Sequence, residues 1–488
     1  MIRSVHFSNL KAFKGHHDVP LGPLTFIYGR NSAGKSSLLQ ALLLLKQTIE
    51  SSDPERPALV IRGPLADLGS VPGIIFGHDT SLELRLGVET DVDNTFGRVA
   101  DGTQRVTLSF EWDDEVRSVR QTGIDVGVDG KNIASYKRRR GPRELTPRAT
   151  RTETPFRIGR RQAKEEFFRW GIERSLQGRF SIRGDDLARS ILDSELDTVI
   201  GDLSARATLA SGSWGILPYG PKFSLKSNSD SKRDEALKAI VKELEASWWD
   251  FLYELRFGLS NALDSVIYLG PLRRAPERFH ILSGAQRRSV GREGEYMAEL
   301  LNQHRDVETL VNTWLERLNI PYNLSAVDFE EAEVAHTIGD VVVLALTDVR
   351  NNLLVSPGDV GFGISQLLPI VVQAFAGQET TVCVEQPEIH VHPRLQGSMA
   401  DLFIAAALEG PKNQFVIETH SEHLMLRIQR RVRAGDIKPD DVKVLYVDTD
   451  AEGAARVLEL RLDENGRFID EWPEGFFEER FDEIFGTE

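Results

Sequence analysis

The stretch Leu24-Thr25-Phe26-Ile27-Tyr28-Gly29-Arg30-Asn31-Ser32-Ala33-Gly34-Lys35-Ser36-Ser37 decides the fold. Its first five residues are an apolar run that predicts a short buried strand, and residues 29–36 match G-x-x-x-x-G-K-[ST] at every fixed position. The Leu- and Ala-rich residues 38–45 predict a helix. Strand, loop and helix in this order are typical of a loop that binds nucleotide phosphates. The alternative is a glycine-containing turn of an unrelated α/β domain.

Each part of this loop has a predicted task. Gly29 and Gly34 leave room for backbone N–H donors to face a polyphosphate, and the first amides of the helix add donors and a positive dipole end. We expect Lys35 to contact the β- and γ-phosphates of ATP and the Ser36 hydroxyl to ligate Mg²⁺. The other loop residues predicted to contact the nucleotide are Asn31, Ser32, Ala33 and Ser37.

Composition and net charge exclude several classes of function. The chain has 488 residues with a formal net charge of −15, so its surface as a whole is not expected to bind nucleic acid nonspecifically. Cys383 is the single cysteine and lies in an apolar run, which predicts a buried thiol and excludes an internal disulfide. Because no hydrophobic leader opens the sequence and no apolar run approaches ~20 residues, we expect a cytoplasmic protein that does not span a membrane.

A second apolar run, residues 380–384, ends in Glu385, as a Walker B strand does. A carboxylate at that strand end can hold Mg²⁺ beside the phosphate loop, directly or through water. Glu385 is therefore the predicted metal-binding acid. A third apolar strand, residues 414–418, has His420 just past its end.

These elements together resemble the ABC-type ATPase heads of the RecF, SMC and Rad50 group, over residues 1–115 and 263–450. The resemblance implies that His420 is the switch histidine that reaches the γ-phosphate. It also implies that a glycine-rich turn, with Gly361, Gly363 and Ser365, is the signature motif. In such a head that motif contacts the γ-phosphate held by a second copy.

Three runs narrow the resemblance to stand-alone prokaryotic ATPases related to the OLD family, many of them in anti-phage systems. They are residues 385–393 (EQPEIHVHP), 418–423 (ETHSEH) and 472–477 (WPEGFF), and in these runs the chain resembles the PtuA ATPases of Septu and retron systems. This resemblance implies ATP and Mg²⁺ as cofactors, assembly as a homodimer or larger homo-oligomer, and control of a separate effector such as an HNH nuclease.

Two positions depart from the ABC pattern. Gln386 stands where a glutamate usually serves as the general base, and loss of such a base costs roughly 10²–10⁴-fold in rate. We expect tight ATP binding and slow turnover, unless Glu388 or a partner subunit supplies the base. The signature also lacks the usual Ser-Gly-Gly: Gly361 falls at the place of the serine and Ser365 lies downstream.

The predicted fold class is α/β: an ABC-ATPase head with a mixed sheet around the phosphate loop, an antiparallel β lobe and a mostly helical inserted domain. The predicted domains are 1–115 (first ATPase lobe), 116–262 (insertion), 263–450 (second ATPase lobe) and 451–488 (C-terminal extension). Strands are predicted near residues 82–86, 105–112, 266–269 and 341–347, and helices near 186–203 and 234–255. Acidic residues and spaced aromatics in the extension predict a docked amphipathic helix.

Between Lys137 and Lys164 the chain has eleven basic residues and two acidic ones. This segment is either a solvated loop or a contact for nucleic acid or an acidic partner. A DNA-binding repair clamp like RecF therefore stays open as an alternative function. A second alternative, linked to Gln386, is a scaffold that binds ATP with negligible turnover.

Two further motifs are candidates for separate sites. His390, His392, His420 and His423 are candidate zinc ligands, but the resemblance favours contacts across a dimer interface for His390 and His392. Asp448-Thr449-Asp450 matches one fragment of a Toprim nuclease, and we expect no built-in nuclease.

Overall fold

The computed structural model describes residues 1–51, 58–91, 102–138, 156–176, 186–214, 217–226, 231–275, 277–329 and 340–473. They form three sheets with helices, which confirms the mixed α/β class. The chain divides into two compact units. The P-loop unit holds residue 1 and residues 20–39 and 265–488, and the meander unit holds residues 2–19 and 40–264.

The central sheet of the P-loop unit has the order β11 (Val266–Leu269), β16 (Thr381–Glu385), β17 (Gln414–Glu418), β3 (Leu24–Gly29), β18 (Val442–Thr449), β19 (Ala455–Glu459). The first five strands are parallel, and β19 pairs antiparallel with β18. Every residue of β3, β16 and β17 is buried, as expected for parallel strands covered on both faces. Because parallel strands end at one edge, the residues that follow β3, β16 and β17 are brought together there.

The described residues of the P-loop unit include six α-helices. They are α1 (Lys35–Glu50, whose residues from Gln40 onward belong to the meander unit), α6 (Met297–Gln303), α7 (Arg305–Arg317), α8 (Phe362–Ala376), α9 (Pro393–Ile404) and α10 (Glu422–Arg433). The Ser421 hydroxyl caps α10 by accepting from the N–H of Leu424. A small antiparallel sheet consists of β12 (His280–Ile281), β13 (Tyr322–Phe329), β14 (Val341–Asp348) and β15 (Leu353–Val355).

The meander unit is built on a nine-stranded sheet of order β10-β9-β8-β7-β6-β5-β4-β1-β2. Its strands are β1 (Ile2–Ser8), β2 (His16–Pro20), β4 (Leu84–Asp91), β5 (Thr103–Asp113), β6 (Ser118–Val128), β7 (Lys131–Arg138), β8 (Phe156–Ile158), β9 (Ala207–Trp214) and β10 (Leu217–Leu225). Strands β4 to β10 pair antiparallel in sequence order. Its helices are α2 (Val71–Ile74), α3 (Arg161–Leu176), α4 (Asp186–Arg206) and α5 (Lys232–Asp264).

The strands and helices predicted between residues 82 and 347 are confirmed, and Cys383 is buried as predicted. Residues 116–262 contain the helices α3, α4 and most of α5, and in addition the strands β6 to β10, which were not predicted. β6 pairs with β5, so this region continues the sheet begun before residue 116. Glycines interrupt the alternation of β6, β9 and β10, and β8 has only three residues, so these strands are hard to recognise in the sequence.

The C-terminal residues enter the P-loop unit. β19 lies within the predicted extension and pairs with β18. The Trp472 ring contacts Tyr28, Tyr446 and Phe468, with centroid distances of 5.7, 5.8 and 4.9 Å. The rest of the predicted amphipathic helix, from residue 474 onward, lies outside the described residues. Within the described part of the chain, no helix combines the length and apolarity needed to cross a membrane.

Candidate functional site

The phosphate loop joins the end of β3 to the start of α1, as predicted. Gly29 has φ 142°, and a Cβ atom there would lie 2.2 Å from the carbonyl oxygen of Val447. Only glycine fits this approach to β18. Ser32 and Gly34 also have positive φ, at 64° and 110°. The loop closes through bonds from Ala33 N to Arg30 O at 3.3 Å and from Ser37 N to Gly34 O at 2.9 Å.

Lys35 is buried and folds back over its own loop. Its Nζ donates to the carbonyl oxygens of Gly29 at 3.0 Å and of Arg30 at 2.7 Å. Burial lowers the pKa of Lys35, while the negative charges of Glu418 and Glu388 act in the opposite direction. Asn31 and Ser32 are exposed at the tip of the loop. Lys35 is thus a cation held at the loop by carbonyls that a phosphate could replace.

Two carboxylates lie side by side where β16 and β17 end. Glu385 and Glu418 are direct partners in the strand register. The Ser36 hydroxyl donates to Glu418 Oε1 at 3.1 Å. Glu418 Oε2 is buried with no hydrogen-bond partner among the described residues. Burial and the charge of Glu385 raise the pKa of Glu418 to about 7.

Glu385 has different neighbours. The Tyr268 hydroxyl, at the adjacent strand β11, donates to Glu385 Oε1 at 2.9 Å. Burial and the negative charge of Glu385 raise the pKa of Tyr268. Oxygen donors such as Ser36 and these carboxylates are the ligands that Mg²⁺ prefers. The unpartnered oxygen of Glu418 is available to such a cation.

Gln386 directly follows Glu385 and adopts a left-handed backbone conformation, with φ 45°. Its N–H donates to the carbonyl of Glu418 at 2.7 Å. The buried guanidinium of Arg273 donates to the carbonyls of Glu385 at 2.7 Å and of Gln386 at 3.3 Å. Burial lowers the pKa of Arg273 to about 10, which leaves it charged at neutral pH. These bonds fix the turn after β16.

Glu388 and His420 complete this edge of the sheet. Glu388 accepts from the Thr419 hydroxyl and from the His420 N–H, each at 2.7 Å. Burial raises the pKa of Glu388. Burial and the charge of Lys35 lower the pKa of His420. A neutral imidazole and a carboxyl group therefore flank the phosphate loop.

The predicted signature turn opens α8. Gly361 precedes the helix in open space, whereas a Cβ on Gly363 would lie 2.4 Å from the carbonyl oxygen of His390. The buried Ser365 hydroxyl donates to the carbonyl of Pro357 at 2.9 Å. That bond already engages the hydroxyl, so the backbone N–H groups at the helix start are the better donors for a phosphate.

The remaining candidates have local structural tasks. His392 Nδ1 accepts from the Arg394 N–H and caps α9, and Pro393 is the first residue of that helix. Asp448 pairs with Arg456 at 2.9 Å, and Asp450 accepts from two amides of the turn after β18. Among the described residues, no group of three or more His, Cys, Asp or Glu side chains is arranged to hold a metal ion. Residues 139–155 of the basic segment lie outside the described residues.

The structure thus brings together Lys35, Ser36, Glu385, Gln386 and His420 at one edge of the sheet. The sequence analysis missed three residues of this edge, Glu418, Arg273 and Tyr268. A signal for Glu418 was present, because the run Gln414–Glu418 ends in an acid just as Thr381–Glu385 does. No comparable pattern marks Arg273, which contacts the site only through backbone carbonyls.

Family models match three parts of the chain. Residues 294–425 match a model described as "AAA ATPase domain", and residues 24–115 match "AAA domain, putative AbiEii toxin, Type IV TA system". Both halves of the site therefore lie in segments that match models of AAA-type ATPase domains. Residues 437–485 match "Protein of unknown function (DUF3696)". No curated protein matches the chain in sequence.

Three similar solved structures are heads of SMC proteins. An SMC head bound to the C-winged helix domain of ScpA has a TM-score of 0.43 and 10% identity, covering 95% of this chain and 98% of that one. An Smc head with an extended coiled coil, bound to the C-terminal domain of ScpA derived from Pyrococcus furiosus, has a TM-score of 0.41 and 11% identity. The match covers 94% of this chain and 96% of that one. The SMC head domain from Thermotoga maritima has a TM-score of 0.40 and 9% identity, and the match covers 94% of this chain and 99% of that one.

Proposed function

We propose that the chain binds ATP with Mg²⁺ at the edge where β3, β16 and β17 end, hydrolyses it slowly, and uses the bound nucleotide as a switch for self-association. The observation that carries this proposal is the contact between the loop and the strand ends. The Ser36 hydroxyl bonds Glu418, and the buried Lys35 lies next to it in the same loop.

The loop residues would bind the triphosphate. The Lys35 ammonium would exchange the carbonyls of Gly29 and Arg30 for phosphate oxygens, since a charge-assisted bond to phosphate is the stronger one. The backbone amides of residues 32–36 would contribute neutral donors. A bound Mg²⁺ would neutralise charge that develops on the phosphates. Ser36 and a carboxylate at the strand ends fit such an ion.

Slow turnover follows from Gln386. Its amide can orient a water molecule but cannot take the proton. Glu388 is the carboxylate available as a base in the same unit, and its raised pKa makes it a better proton acceptor than an ordinary glutamate. His420, kept neutral by burial and by Lys35, would donate its ring N–H to an oxygen of the γ-phosphate.

We further propose that ATP closes a homodimer, in which the N-terminus of α8 contacts the nucleotide of the other copy. Closure would control a separate effector, a nuclease of the HNH kind, in prokaryotic anti-phage defence of the OLD-related type that PtuA represents. Support comes from the residues shared with that branch and from the family that residues 24–115 match, whose description names the AbiEii toxin.

One experiment tests the proposal on the purified full chain: ATP binding by equilibrium dialysis, phosphate release, and sedimentation velocity with and without ATP and Mg²⁺. We expect the native chain to bind ATP, to turn it over slowly and to associate when ATP is present. Lys35→Ala should weaken binding at least tenfold. Lys443→Ala is the matched control, because this β18 lysine pairs with Glu459 instead.

Gln386→Glu separates the switch from an ATP-bound scaffold. If the native chain hydrolyses no ATP and this variant creates hydrolysis while weakening assembly, the chain is a scaffold. If the native rate is measurable and the variant raises it at least tenfold, the switch is supported. A native chain that binds no ATP and does not change with Lys35→Ala contradicts both functions.

A further inference from the structure

The carboxylate that contacts the Mg²⁺-binding serine of the loop is not the one at the end of the Walker B strand. Ser36 Oγ lies 3.1 Å from Glu418 Oε1, at the end of β17. The second oxygen of that carboxylate is buried and has no hydrogen-bond partner among the described residues. A buried, unpartnered carboxylate oxygen is costly unless a ligand completes it.

The order of the strands explains this contact. β17 is the direct neighbour of β3, whereas β16 is separated from β3 by β17. Adjacent strands lie about 4.8 Å apart, so the end of β17 is about 5 Å from the end of β3 and the end of β16 about 10 Å away. A side chain at the end of β17 therefore reaches the first turn of α1 more directly than Glu385 does.

The distance between Ser36 Oγ and Glu418 Oε1 also fits the coordination geometry of Mg²⁺. Mg²⁺ binds its ligands at about 2.0–2.1 Å in an octahedron, so neighbouring ligand oxygens lie about 2.9 Å apart. The 3.1 Å between Ser36 Oγ and Glu418 Oε1 is close to that edge length. Each carboxylate accepts one hydroxyl, Glu385 from Tyr268 and Glu418 from Ser36, but only the bond to Glu418 comes from the loop serine.

We propose that Glu418, together with Ser36, ligates the Mg²⁺ that accompanies the nucleotide, and that Glu385 supports this site from the neighbouring strand without being the principal protein ligand. The inference rests on the proposed function, since it concerns the same nucleotide site. It assigns the acid to the strand that lies between the phosphate loop and the Walker B strand.

The test measures metal binding directly. Mn²⁺ serves as the probe because it also takes oxygen ligands, and its binding to the complex of full chain and adenylyl-imidodiphosphate is followed by electron paramagnetic resonance. Glu418→Gln should weaken Mn²⁺ binding at least tenfold, while the matched variant Glu385→Gln should change it less than threefold. Nucleotide affinity in the presence of EDTA should stay within threefold for both.

A second variant covers a failure of Glu418→Gln to fold. Glu418→Met keeps the length of the side chain but removes the carboxylate, and it should show the same loss of Mn²⁺ binding. Equal losses in the Glu385 and Glu418 variants, or a larger loss for Glu385→Gln, would overturn the assignment and leave the proposed function intact. A native chain that binds no nucleotide would overturn the proposed function and the assignment with it.

Discussion

Glu388 shows how a single residue connects the site to stability. It accepts from Thr419 and His420, and burial nevertheless raises its pKa above the ordinary value of 4.5. A carboxyl group whose pKa is raised in the folded state binds its proton more tightly there than in the unfolded chain. The charged form therefore opposes folding.

The pH dependence follows with a definite sign. As pH rises from about 4.5 through the raised pKa of Glu388, the native chain should lose stability relative to Glu388→Gln, which has no proton to lose. Urea unfolding at several pH values from 5 to 8, followed by tryptophan fluorescence, measures this difference. A difference between the two proteins that grows in favour of the native chain as pH rises would contradict the assignment.

Residues of the site differ in how well the sequence predicts them. Lys35 and Ser36 are fixed by a contiguous pattern, and the structure places them beside the carboxylates. Glu418 was missed because its partner Ser36 is 382 positions away, and no local pattern links the two. Which of two strand-ending acids contacts a loop depends on strand order, and apolar runs do not encode that order.

At the scale of elements, the start of α8 depends on a close approach. A Cβ on Gly363 would lie 2.4 Å from the carbonyl oxygen of His390, a backbone atom that cannot swing aside. Gln366, one turn further along the helix, exchanges two hydrogen bonds with the backbone of Arg273. Since Arg273 bonds the carbonyls of Glu385 and Gln386, α8 is linked to the turn after β16.

Gly363→Ala should therefore destabilise the protein by about 1–3 kcal/mol, the usual cost of overpacking. Gly361→Ala is the matched control, because Gly361 has φ −54° and open space around its Cα. It should change the free energy of unfolding by less than about 0.5 kcal/mol. Chemical denaturation of both variants provides the measurement, and equal effects would show that the contact with His390 does not constrain the helix.

The sequence predicts some strands better than others, and the difference has a physical reason. The buried parallel strands are unbroken apolar runs, so β3, β16 and β17 stand out in the sequence. β9 and β10 are harder to recognise, because Gly212 and Pro221 interrupt them and the pairing shifts register near Pro221. Long-range pairing forms these strands, and a single sequence does not report it.

At the scale of the whole molecule, the proposed dimer makes use of an exposed aromatic. Phe362 is 50% exposed at the first residue of α8, and its ring meets His390 edge-on at 4.9 Å. Phe362→Ala should weaken ATP-dependent self-association while ATP binding by the separate chains stays the same, because exposed aromatics often anchor interfaces. Sedimentation velocity with ATP tests this.

Leu354→Ala is the control for general loss of exposed apolar surface, since Leu354 is 70% exposed on β15. It should leave association unchanged. Equal losses for both variants would indicate nonspecific association, and no loss for Phe362→Ala would remove this residue from the proposed interface.

The position of β3 has a consequence for synthesis of the protein. β3 is made before its two neighbours in the sheet, β17 and β18, which follow it by several hundred residues. At about 5–20 residues per second, a ribosome needs roughly 20–80 s to make the intervening stretch. During that time both edges of β3 lack their partners, a condition that favours aggregation or chaperone binding. A nascent chain consequently assembles this edge of the sheet only after β17 and β18 have been made, and fragments cut before β17 should be unable to form the proposed nucleotide site.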